Sequence, residues 1–264
     1  MKKQLRLIPL ILYLFLINCS NNEIEKIAHP QTKNAYSVND SNFTNWVSRQ
    51  IETTLSIQAT EKYDFKIHTN YLDSDSIIDA VILVNRAAFA EQKAKEGRDT
   101  KFEELTGFTG PFNYIFTFKG GSSKLNVLPP VGSSANHPLT IKFESISNPS
   151  QQDFIVEYRV RNSVNRNYYS FNNGLASLIF SCPVFDLMNE NNPEIYYIDH
   201  IKSDIRHSKD IAMYYGMIED YKVEYASDFN YYPNQINSSN KLFAYFIYDQ
   251  RKQKYITPMK PQSD

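Results

Sequence analysis

The chain has 264 residues, with 28 Lys+Arg against 29 Asp+Glu and a formal net charge of −1. A nucleic-acid partner would need a concentrated basic face, and this balance argues against one. Tyr and Phe are abundant at 19 and 17 while Gly numbers 8, which favours a β-rich packed core over a low-complexity chain.

The first elements form a targeting segment. Lys2, Lys3 and Arg6 precede "LIPLILYLFLI", an apolar run of about eleven residues, too short to span a bilayer as a helix. The run closes on "LINC", Leu16 to Cys19. This resembles the lipobox of bacterial lipoproteins, where a Leu three residues before the Cys marks the cleavage site. The resemblance implies that residues 1–18 are a signal peptide and that Cys19 becomes the first mature residue, acylated on sulfur and nitrogen. An uncleaved N-terminal anchor and an ordinary secretory signal are the alternatives. Two or more acyl chains hold a protein stably at a membrane, so the expected partner of this end is a bilayer outside the cytoplasm. Ser20, rather than an Asp, follows the Cys, and by the same resemblance that points to the outer membrane.

Removing Lys2, Lys3 and Arg6 leaves 25 basic against 29 acidic residues, so the mature body is mildly acidic. Residues 19–41 are polar and Asn-rich and read as a flexible tether, with a single β-rich domain over 42–264. "SNFTNWVSRQIETTL" predicts an amphipathic helix, capped by Ser41 or Asn42, with Phe43, Trp46, Val47, Ile51 and Leu55 on one stripe. "YDFKIHT" alternates as a half-buried strand, and "AVILVN" is apolar on both faces, as a central strand is.

Between those strands stands "NYLDSDSIIDAVILVN", with three aspartates in seven residues. It resembles, over about a dozen residues, the Asp-x-Asp-x-Asp-Gly calcium loops of dockerin modules and integrin-type propeller repeats. On that pattern Asp73, Asp75 and Asp79 take the third, fifth and ninth positions, and the Ile77 carbonyl takes the seventh. Alternate side chains of a tight loop can converge on Ca2+, which takes about six to eight oxygen ligands. Tyr71 replaces the first Asp and Ser76 replaces the Gly. The competing expectation is an ion-free acidic turn whose carboxylates cap backbone amides. No other cofactor is expected.

Further along, "AAFAEQKAKEG" predicts a helix ending near Gly97, followed by a loop to "TGFTGPF". "NYIFTFKGGSSKLNVLPP" reads as a hairpin around Gly120 and Gly121. "HPLTIKFESIS", "DFIVEYRVRNS", "NYYSFNNGLASLIFSCPVFD" and "EIYYIDHIK" continue as strands, "KDIAMYYGMIEDYKVEY" is assigned to strand, and "KLFAYFIYDQRKQKYITP" closes as a hairpin. Strands joined by short turns give antiparallel sheets, and helices mainly in the first third give an α+β class.

Catalytic and metal-binding patterns are sparse. "DHIKSDIRH" places Asp199, His200, Asp204 and His207 close in sequence, but at no established zinc spacing. Phosphate-loop and Gly-x-Ser-x-Gly patterns are missing. Arg159, Arg161 and Arg166 read as ordinary solvated surface, and Cys182 as a buried small hydrophobe. These features lead to the expectation of a lipid-anchored, non-enzymatic envelope protein for binding or assembly, with a protein partner in the envelope. An envelope hydrolase whose residues converge only in the fold is the alternative, as is an inhibitor or immunity-type lipoprotein.

Overall fold

The computed structural model describes residues 35–97, 100–188 and 192–258. Cys19, the signal segment and residues 20–34 lie outside the described residues. Residues 35–41, expected as the end of the tether, are docked against the body. Tyr36 pairs through its backbone with Ser122 (2.8 Å) and Gly121 (3.1 Å), and its ring stacks on Trp46 at 4.5 Å.

Helix α1 (Phe43–Leu55) follows, with Phe43, Val47 and Ile51 buried as the stripe predicted. It ends at Ser56, whose φ of 51° breaks the helical path. Strands β1 (Asp64–Asn70) and β2 (Asp79–Asn85) pair antiparallel with Ile67 opposite Ile82. Helices α2 (Ala87–Glu96) and α3 (Thr100–Leu105) come next, so part of the expected loop after Gly97 is helical. β3 (Thr109–Phe118) pairs with β2 on one side. On its other side it pairs with β4 (Leu125–Val127) and then β5 (Val131–Ser134), which Pro129 and Pro130 separate.

Every residue of β2 is buried. Its period-two alternation explains why. Ala80, Ile82 and Val84 face the α1 cluster with Phe116 and Phe118, while Val81 and Leu83 face a second sheet.

That second sheet runs β6 (Thr140–Glu144), β7 (Asp153–Val160), β8 (Ser163–Asn172), β9 (Leu175–Asp186), β10 (Glu194–Lys202), β11 (Lys209–Ile218), β12 (Ile236–Asp249) and β13 (Lys254–Ile256). All neighbours are antiparallel and follow chain order. The β8–β9 turn is Asn173–Gly174, both at positive φ, the geometry that two-residue hairpins require. The segment after β11 is a short 3-10 turn, Val223–Ser227, rather than a continued strand.

The sheet divides at one place. β9 and β10 pair through Glu194 with Asp186 and Ile195 with Phe185, and the strands then part. The half β6–β9 turns Phe154, Val156, Tyr169 and Phe171 toward the five-stranded sheet. Its other face turns Ile155, Tyr168, Phe180 and Cys182 toward Ile211, Met213 and Tyr255 of the half β10–β13. The order of layers is therefore α1, five-stranded sheet, β6–β9, β10–β13. The protein is α+β and mainly antiparallel, with an amphipathic helix near the start of the described chain.

Candidate functional site

The aspartate cluster is a staple built around an ammonium group. Asp73 Oδ1 accepts the Asp75 N–H at 3.1 Å and Asp75 Oδ1 accepts the Ile77 N–H at 2.9 Å, two successive side-chain-capped turns. Ser76, at a φ of 63°, adopts the left-handed conformation for which the calcium loops use Gly. The other oxygens, Asp73 Oδ2 and Asp75 Oδ2, accept from Lys119 Nζ at 2.5 and 2.7 Å. Those bonds raise the Lys119 pKa and hold the Asp75 carboxyl below its ordinary value.

Asp79 does different work. It is fully buried, and its two oxygens accept the N–H groups of Leu72 (3.0 Å) and Gly120 (2.9 Å). Burial raises its pKa, and the two amide bonds oppose that rise. Gly120 is required here because a Cβ would run into the Ile78 carbonyl oxygen. The carboxylates thus cap amides and hold Lys119, and Ile77 contributes its N–H to Asp75. Calcium could use Asp73 and Asp75 only by displacing Lys119. Among the described residues no group of three or more His, Cys, Asp or Glu converges as a metal site would.

The parting of β9 and β10 opens a cleft with polar walls. On β6–β9 the register aligns Thr140 with Glu157, Glu157 with Arg166, and Arg166 with Cys182, one row crossing four strands. Arg166 Nε donates to Glu157 Oε2 at 2.8 Å, and the Tyr232 hydroxyl donates to Glu157 Oε1 at 2.6 Å. A cavity of about 330 Å3 lies over this row, closed on the far side by Ile198, Asp199 and His200 of β10. A second, of about 260 Å3, continues toward Tyr196, Tyr197, Tyr232 and Asn234. Arg166 and Ile198 line both, so the two cavities adjoin along the trough between the half-sheets.

His200 anchors the inner end. Its Nδ1 lies 2.9 Å from Glu144 Oε1, and its Nε2 lies 3.2 Å from the Tyr168 hydroxyl. Lys209 and Lys142 also donate to Glu144, at 2.9 and 2.8 Å. Burial alone would push the Glu144 carboxyl up, but the bonds from Lys142, Lys209 and His200 outweigh it and hold the pKa at about 2. Burial lowers the His200 pKa, more than Glu144 raises it. At neutral pH the imidazole is therefore uncharged, Nδ1–H donating to Glu144 and Nε2 accepting from Tyr168. Tyr168 is fully buried and burial raises its pKa, so it remains a donor.

The structure disperses what the sequence grouped. His200 pairs with Glu144, 56 positions away, rather than with Asp204 or His207, both exposed. The arginines are not solvated surface. Arg159 is buried and donates to the carbonyls of Arg161 (2.7 Å) and Tyr231 (2.6 Å), tying the Tyr232 segment to the β7–β8 turn. Cys182 is buried as expected, its thiol pushed up to about 12 by burial. Glu144, Glu157, Tyr168 and Tyr232 carried no motif. A signal was present in "DFIVEYRV", where one alternating face is wholly apolar or aromatic and the other mixes Asp153, Ile155, Glu157 and Arg159.

The fold and the site together define an α+β protein of stacked antiparallel sheets with a polar trough between two half-sheets. No family model, curated protein or solved structure matches the chain.

Proposed function

We propose that the protein is an exported, lipid-anchored envelope protein, acylated at Cys19, that binds a ligand in the trough between β6–β9 and β10–β13 without transforming it. The trough is the observation that carries the binding assignment. Apart from the exposed Asp199, its ionisable groups are bonded to one another, Glu157 to Arg166 and Tyr232, and Glu144 to His200, Lys142 and Lys209. A general acid in a hydrolase has its carboxyl pKa raised toward neutrality, whereas Glu144 is held at about 2. Glu144, His200 and Tyr168 have the donor order of an acid–base relay, but its terminal hydroxyl is fully buried. Polar groups that hold one another in place in a concave site, with donors and acceptors to spare, favour recognition. The charged start, short apolar run and "LINC" support the anchor.

The test uses the full chain in its native envelope with a photo-crosslinking residue at Asn234, in the trough, or at Glu91, on α2. A discrete adduct from Asn234 alone is expected, together with diacyl or triacyl mass at Cys19. Equal labelling from both positions would remove the trough, and an intact residue 1–18 segment would remove the anchor.

A further inference from the structure

We propose that the ligand of the trough is an uncharged oligosaccharide, an inference that rests on the trough being the binding site. The first argument is charge. Asp199, Glu144 and Glu157 confront an entering anion, and Arg166 and Lys142 confront an entering cation. Glu157 is paired with Arg166 and Glu144 with Lys142 and Lys209, and the three cations equal the three carboxylates Glu144, Glu157 and Asp199, so the site carries no net charge to favour a charged ligand.

The second argument is hydrogen-bonding capacity. A guanidinium has about five N–H donors and a carboxylate about four lone-pair sites, so an Arg–Glu pair keeps unused capacity after its own bond forms. Arg166 and Glu157 stand on adjacent strands in direct register, with Thr140 next in the row. Asn234 and Gln235 extend the donors and acceptors along the second cavity. Such alternation matches vicinal hydroxyls, each of which both donates and accepts.

Shape and surface supply the third. The trough holds two cavities that adjoin at Arg166 and Ile198, an outline for neighbouring rings rather than one ring. Its outer end carries Tyr232, 49 % exposed and set edge-on to Phe185. A Tyr ring face is electron-rich and packs against the positively polarised C–H face of a pyranose. A peptide would be drawn to the same aromatics, but Pro183 blunts the β9 edge that an added strand would need.

The experiment titrates the full detergent-solubilised chain with hexasaccharide probes, by calorimetry and saturation-transfer NMR. The neutral probes are β-1,4-linked N-acetylglucosamine, α- and β-1,4-linked glucose and β-1,4-linked mannose. Oligogalacturonate and oligoglucosamine of equal length serve as the anionic and cationic controls. At least one neutral probe is expected to bind, with no binding by either control. Tyr232→Ala and Asn234→Ala, both at the mouth, should each weaken it about tenfold, as loss of an aromatic or polar anchor does. Stronger binding by a charged control, binding unaffected by either variant, or no binding by any neutral probe would each overturn the proposal. A non-carbohydrate adduct from Asn234 in the envelope would leave the trough as a binding site and discard the oligosaccharide.

Discussion

Replacing Lys119 with Met tests whether the aspartate turn is built around an internal cation. Met keeps the unbranched stem and removes the charge. In the native protein Lys119 Nζ lies 2.5 Å from Asp73 Oδ2 and 2.7 Å from Asp75 Oδ2. The three side chains are 15–32 % exposed, so each pair falls between the surface and buried extremes, at about 1 kcal/mol after screening. The two oxygens share one nitrogen and can be no more than about 5 Å apart. With the ammonium gone, two carboxylates at that distance repel by about 3 kcal/mol at an effective dielectric near 20, less where water screens them. Part of that is relieved as the loop relaxes, and Lys119→Met should cost about 2–3 kcal/mol in urea unfolding at pH 7 and low salt.

The pH dependence carries the sign. Asp75 has its folded pKa lowered by Lys119, so its contribution is full above its ordinary value of 3.8 and is lost as pH falls through the lower folded value. The deficit of the variant should therefore shrink below about pH 4. It should also shrink in high salt. Millimolar calcium should raise the melting temperature of Lys119→Met clearly more than that of the native protein, because there it meets no resident ammonium. Asp75→Ala should abolish that gain. A deficit under about 0.5 kcal/mol, or one that does not change between pH 7 and pH 3, would refute the reasoning.

Three other outcomes follow from the buried polar groups. Glu144→Gln should remove an acid-sensitive contribution on the order of 1–3 kcal/mol, which in the native protein is present above about pH 4.5 and lost as pH falls toward 2. Parallel native and variant stability curves over that window would contradict it. Cys182, buried with its thiol at about 12, should react with an aromatic disulfide reagent at pH 8 only at the rate of opening, and fully in denaturant. Asp153 is fully buried and accepts the N–H groups of Ile146 (3.0 Å) and Ser147 (2.6 Å) and the Ser147 hydroxyl (2.7 Å). Asp153→Asn would set amide donors against those donors and should cost about 2–4 kcal/mol in denaturant unfolding.

What the sequence by itself determined was the strongly periodic elements and the marked turns, while short local pieces such as α3 and the Val223–Ser227 turn escaped it. The 3.6-residue stripe of Phe43, Val47 and Ile51 made α1, and the run Ala80 to Val84 declared a strand buried on both faces. Gly120 and Gly121 and the Asp249–Lys254 pairing lie in the hairpins that turn residues had marked. The alternation in "DFIVEYRV" fixed which residues share a face, but nothing local said that its mixed face would be roofed by β10. Only the tertiary structure decided the partners of the charges. Lys119 reaches Asp73 across 46 positions, Glu144 reaches His200 across 56, and Tyr232 reaches Glu157 across 75. A charge attracts whatever opposite group lies within a few ångströms, so its partner is set by which strands the sheets bring together. Chain folding chose those neighbours by burying apolar faces, and the trough stands where β10 leaves β9.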